Sequence, residues 1–130
     1  QKSPQIILDA AHNFQSIQSL VENTRLFFTY NRLIVLLGIL DDKDYKKVIK
    51  VLSSDADIFI LTEPKSERAL SSRLLEKEAL AFKTETFVEK EISKALIKAK
   101  EVADKNDLIL ITGSFYTVGE ALSEFSPIKH

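Results

Sequence analysis

The sequence contains no cysteine, no methionine and no tryptophan, and only three glycines and three prolines among its 130 residues. Without cysteine there is no disulfide, no thiol nucleophile and no zinc site built on thiolates, a composition compatible with a cytosolic protein. The three glycines, Gly38, Gly113 and Gly119, cannot spell G-x-G-x-x-G or the phosphate-cradling G-x-x-x-x-G-K-[ST]. A self-sufficient NTPase and a dinucleotide oxidoreductase are disfavoured on that ground. Lysine and arginine number 18 against 19 for aspartate and glutamate, a net charge of −1, so no field of one sign favours nucleic acid or an anionic membrane as a partner. No apolar run approaches the ~18 residues that a membrane-spanning helix needs. The start, Gln-Lys-Ser-Pro, lacks the basic-then-apolar order of a signal peptide and an initiator methionine, which gives the chain the look of a domain excised from a longer protein.

What is present suits one compact domain, since 45% of the residues are hydrophobic and domains commonly run about 100–150 residues. Five short apolar runs, Gln5–Leu8, Leu33–Leu37, Ile58–Thr62, Glu85–Val88 and Leu108–Thr112, alternate with segments of helical spacing. Most of the runs are continuously apolar rather than alternating, as strands covered on both faces are. Ile17, Leu20, Val21, Thr24 and Phe28 make the first helical stripe, with Asn13 where an N-cap is favoured. Tyr45, Val48, Ile49 and Leu52 make the second, with Asp42 and Asp44 placed to meet its dipole. A third helix is expected over Ser71 to about Phe82. The fourth stripe is Ile92, Ala95, Leu96, Ala99, Val102 and Ala103, and a fifth helix follows Ser114. The reading is a doubly wound, Rossmann-like α/β domain with a mainly parallel sheet and helices on both faces. In such sheets ligands sit beyond the carboxyl ends of the strands, so the loops Asp9–Asn13, Gly38–Lys43, Thr62–Arg68 and Gly113–Tyr116 are expected on one rim.

Two of these loops carry chemistry. Asp9-Ala10-Ala11-His12-Asn13 places three polar side chains at a helix start, where free N–H groups favour an anion and a carboxylate can accept from two ribose hydroxyls. The bland alternative is that Asn13 caps the helix and Asp9 satisfies loop amides. In Thr112-Gly113-Ser114-Phe115-Tyr116, Gly113 permits a sharp bend and Ser114 serves as N-cap or ligand donor. Asp9, His12 and Ser114 invite a hydrolase triad, but the Gly-x-Ser-x-Gly elbow is absent and Asp9 and His12 share one loop. Arg68 could hold an anion, although pairing with its neighbour Glu67 is the safer expectation. Asp41-Asp42 resembles a magnesium-type acid pair that dipole complementarity explains more cheaply. No metal site is expected, and His12 is the sole internal histidine. A stand-alone, non-catalytic α/β ligand-binding or regulatory module is the alternative to an enzyme. The phospho-receiver form of that module needs an aspartate after the third strand and a lysine after the fifth, where this chain has Thr62-Glu63 and Gly113-Ser114.

Taken in order, Ile-Leu-Asp-Ala-Ala-His-Asn (7–13), Leu-Leu-Gly-Ile-Leu-Asp-Asp-Lys-Asp (36–44), Leu-Thr-Glu-Pro (61–64) with Ser66-Glu67-Arg68-Ala69, and Ile-Thr-Gly-Ser-Phe-Tyr-Thr-Val-Gly-Glu-Ala (111–121) resemble the C-terminal domain of the folylpolyglutamate synthases and bifunctional dihydrofolate synthases, and more distantly of the Mur ligases. The resemblance implies a cytoplasmic, ATP-dependent amide ligase that adds L-glutamate to folates through an acyl phosphate. It implies that residues 1–130 are a single C-terminal domain, inactive alone, whose partner is an N-terminal P-loop domain of the same chain holding most of the ATP and Mg2+. By the same resemblance Asp9 contacts ATP through its ribose, His12 and Ser114 serve the glutamate and phosphate end, and Asn13 supports them. It names no residue that transfers a proton. The family usually has glycine where Ala10 stands and proline where Phe14 stands. Ala10 matters if the loop needs a positive φ.

Overall fold

Strands and helices alternate throughout the computed structural model, which describes residues 3–125. The strands are β1 (Gln5–Asp9), β2 (Leu33–Leu37), β3 (Ile58–Leu61), β4 (Glu85–Val88) and β5 (Leu108–Thr112). The helices are α1 (Phe14–Phe27), α2 (Tyr45–Ser53), α3 (Ser72–Leu80), α4 (Ile92–Val102) and α5 (Phe115–Phe125). One sheet of order β1-β5-β2-β3-β4 results, and every pairing in it is parallel.

The sequence pattern explains this arrangement. β2, β3 and β5 are the central strands and are buried along their whole length, which is why their residues are apolar without alternation. β1 and β4 close the two edges and are partly exposed. Because side chains alternate across a strand, Leu33, Val35 and Leu37 face one layer and Ile34 and Leu36 the other. The first set joins Phe59 and Leu110 under α1, α2 and α3, while the second joins Ile60 and Ile111 under α4 and α5.

Helix starts are set by side-chain caps. Asn13 Oδ1 accepts from Ser16 N at 2.8 Å and Ser16 Oγ accepts from Asn13 N at 3.1 Å, a reciprocal capping box. Asp44 caps α2 and Ser71 caps α3. Several expectations are corrected here. Phe28 leaves the first stripe: it is the extended C-cap of α1, with φ −127°. Ser71, and Ala81 and Phe82, flank α3 rather than belong to it. Thr62 lies just past the end of β3, and Asp9 extends β1 by one residue. Asp42 does not serve the dipole of α2, because Asp44 takes the cap and Asp42 turns to basic side chains.

Candidate functional site

With all strands parallel, the four loops singled out from the sequence emerge at one edge of the sheet, and hydrogen bonds bind them in two pairs. Gly113 N and Thr112 Oγ1 both donate to Ala11 O, at 3.0 and 3.2 Å, which presses the loop before α5 against the loop before α1. Across the sheet, an antiparallel bridge joins Leu40 to Ala69, and Asp41 N donates to Arg68 O at 2.7 Å. That bridge fastens the loop before α2 to the loop before α3. Thr117 Oγ1 links the two pairs by donating to Gly38 O at 2.9 Å.

A cleft of about 290 Å³ opens where the pairs meet. His12 and Ser114 line it on one side and Asp42, Lys43 and Arg68 on the other, with Phe115 and Tyr116 at its mouth. Phe115 is 71% exposed, and its ring lies 5.7 Å from that of His12. His12 Nδ1 stands 3.1 Å from Ala10 O. A carbonyl only accepts, so Nδ1 carries the proton in that contact. Ser114 is buried at 1% exposure. Its Oγ accepts from Thr117 N at 3.0 Å and donates to Thr117 Oγ1 at 2.9 Å, so its hydroxyl is committed to capping α5, the capping alternative of the sequence reading. What Ser114 presents to the cleft is the start of that helix, where free N–H groups favour negative charge.

The structure brings His12 and Ser114 together and sets Asp9 apart. Asp9 lines a separate groove of about 580 Å³ between β1 and α1, floored by apolar residues such as Ile7 and Leu20. Its Oδ1 accepts from Ala11 N at 3.0 Å, so one carboxylate oxygen satisfies a loop amide. Asn13 acts as the helix cap. Ala10 is no obstacle, because among the described residues the only non-glycine with positive φ is Lys83.

Arg68 does not pair with Glu67 as expected; its Nη2 lies 2.8 Å from Asp42 Oδ2, and Lys43 Nζ lies 3.6 Å from the same oxygen. Burial by itself would push the Asp42 carboxyl up, but Arg68 and Lys43 outweigh it and hold its pKa below the ordinary value. With the cations of Lys43 and Arg68 against one carboxylate, the cleft is net positive. Sequence reasoning missed Ser16 and Lys43 and gave Arg68 the wrong partner. Ser16, whose Oγ also accepts from His12 N at 3.1 Å, was detectable from the Asn-x-x-Ser spacing. Lys43 had no such signal, and Arg68, singled out as a possible anion holder, could not be joined to it, since only the bridge between distant loops makes them neighbours.

A family model described as Mur ligase, glutamate ligase domain matches residues 1–115. The chain belongs to this family. Among curated relatives of this glutamate ligase domain, the dihydrofolate synthase/folylpolyglutamate synthase of Buchnera aphidicola subsp. Schizaphis graminum is 35% identical over 121 residues, covering 93% of this chain and 28% of the relative. Folylpolyglutamate synthase of Mycobacterium tuberculosis, solved in complex with ADP, matches at TM-score 0.88 and 25% identity over 96% of this chain and 30% of its own. E. coli FolC, solved with DHPP and ADP, matches at TM-score 0.86 and 23% identity over 96% of this chain and 29% of its own, which shows the shared fold. The domain thus spans less than a third of the length of these proteins. The expected family and the doubly wound parallel fold both hold. Within the described residues no helix is long and apolar enough to cross a membrane.

Proposed function

We propose that this domain is the amino-acid-binding half of a cytoplasmic, ATP-dependent amide ligase that adds L-glutamate to folates. The observation that carries the reading is the positive cleft, which sets Lys43, Arg68 and the start of α5 within one rim beside His12. A dicarboxylate needs two such anion sites, and a guanidinium fork and an ammonium point charge are suited to them. His12, on the wall of the same cleft, is assigned to the glutamate and phosphate end. Ser114 serves the same end through the helix it caps, and Asn13 supports His12 through Ser16, whose Oγ accepts from His12 N. Asp9, on its own side of the loop, is assigned to the ATP ribose, for which its second carboxylate oxygen is the acceptor.

The reaction class joins an acyl phosphate of the folate carboxylate to the amine, with phosphate as the leaving group. For such a step the residues of this domain need only orient the nucleophile and balance charge. ATP phosphates and their Mg2+ call for a phosphate loop, which the three glycines cannot form. They are assigned to an N-terminal P-loop domain of a longer parent chain.

Steady-state kinetics of that parent test the reading. Lys43→Gln and Arg68→Gln are expected to raise the KM for L-glutamate about ten-fold or more, with the KM for ATP little changed. Asp9→Ala is expected to do the reverse. Glutamate KM values unmoved by both cation variants would reject the site, and robust ATP turnover by the isolated 130-residue chain would reject the division of labour.

A further inference from the structure

We propose that Asp42 is a built-in occupant of the cleft, a carboxylate held on Arg68 and Lys43 until the carboxylate of an incoming ligand displaces it. The proposal rests on reading the cleft as a carboxylate site. One oxygen of Asp42 meets both cations, at 2.8 Å from Arg68 Nη2 and 3.6 Å from Lys43 Nζ, as a carboxylate of a ligand would.

Neither the fold nor the neighbouring helix requires this pairing. Asp44, not Asp42, caps α2. The two loops are already joined through the backbone by the Leu40–Ala69 bridge and the Asp41 N to Arg68 O bond. The side chains of Asp42 and Arg68 are 48% and 58% exposed, and an ion pair so open to water contributes little. Exchange of one carboxylate for another on the same donors is therefore inexpensive. The pair keeps two cations from repelling each other in the empty cleft, and it lowers the apparent affinity for anions by the fraction of time that Asp42 occupies the donors.

The test is an NMR titration of the 130-residue chain with L-glutamate and, separately, with inorganic phosphate, read at the His12 and Ser114 amides. Asp42→Asn is expected to tighten both anions about two- to five-fold, the scale set by an exposed ion pair. Asp41→Asn removes the same charge from the same turn without touching that pair and is expected to give a smaller gain. In an Arg68→Gln background, where Lys43 alone still meets Asp42, the gain from Asp42→Asn is expected to shrink. Weaker binding by Asp42→Asn would make Asp42 a strut or a ligand for the ammonium group and overturn the proposal. So would an equal gain from Asp41→Asn, which would reduce the effect to net charge. Glutamate bound equally by the wild type and Asp42→Asn overturns the proposal and leaves the glutamate reading intact. Tightened phosphate with no glutamate binding supports the proposal and rejects glutamate as the ligand. Amides unmoved by either anion in every variant reject both.

Discussion

A Cβ placed on Gly113 would lie 2.1 Å from the carbonyl oxygen of Gly38, at a position where Gly113 holds φ at +119°. The two glycines face each other just beyond β5 and β2, and their contact lets the turn carrying Ser114 settle beside the loop that leads to Asp42. Gly113→Ala combines a forbidden backbone angle with a clash against backbone, which cannot rotate away, and is expected to cost about 3 kcal/mol or more. Gly38→Ala meets Thr117 Oγ1 at 2.7 Å, which can move only by giving up its bonds to Gly38 O and Ser114 Oγ, but it carries no backbone-angle penalty and no clash with backbone, and is expected to cost less. Urea midpoints of the two variants check the order.

Gly119 presents the opposite case. It lies on the exposed side of α5, and a Cβ there meets nothing within 4 Å. Gly119→Ala is expected to stabilise the domain by about 0.5–1 kcal/mol, the helix-propensity difference, through a less free unfolded chain. A rise in the thermal midpoint, with the chemical shifts of the cleft unchanged, is the expected result.

The contrast between these glycines shows what was legible in the sequence. The strands were legible because a doubly covered strand has to be apolar throughout, as Leu33–Leu37 and Leu108–Thr112 are, and the helices because one face has to be apolar at a 3.6-residue period. Gly113 stood out as a bend, but its partner Gly38 could not be named, since the contact depends on strand order. The cleft divided in the same way. His12 and Ser114 stood in recognisable loops, whereas Arg68 was assigned to its sequence neighbour Glu67 because nothing local indicated that Leu40 and Ala69 pair. Asp9 stands apart from His12 for a geometric reason: three residues away in one tight loop, it lines the groove on the other side of that loop.

The capping box before α1 ties helix stability to the position of His12. Asn13→Ala removes the acceptor of Ser16 N and is expected to cost about 1 kcal/mol. Ser16→Ala removes the oxygen that receives both His12 N and Asn13 N, so the loop should loosen even where global stability changes little. Amide hydrogen exchange should then quicken about ten-fold or more at His12 while the amides of β5 keep their protection. Equal protection of His12 in the wild type and the variant would show that the loop is held by other contacts.

The far end of the sheet carries the main acid-sensitive contact. Asp107 is 3% exposed and accepts from Arg32 N, Nε and Nη2 and from Asp104 N, at 2.8 to 3.2 Å. Burial works to raise its pKa, but the Arg32 side chain and these N–H donors outweigh burial and hold it below the ordinary value. A carboxyl whose folded pKa lies below its unfolded value of about 3.9 binds fewer protons in the native state. Its contribution is therefore complete above about pH 4 and is lost as the pH falls through the folded value. Asp107→Asn is expected to cost about 2 kcal/mol at pH 7, below the range for a fully buried pair because Arg32 keeps access to solvent. The gap between wild type and variant in urea unfolding should narrow steadily below pH 4. A gap that stays constant down to pH 3 would mean that the Asp107 carboxylate stabilises the fold by its shape and hydrogen bonds and not by its charge.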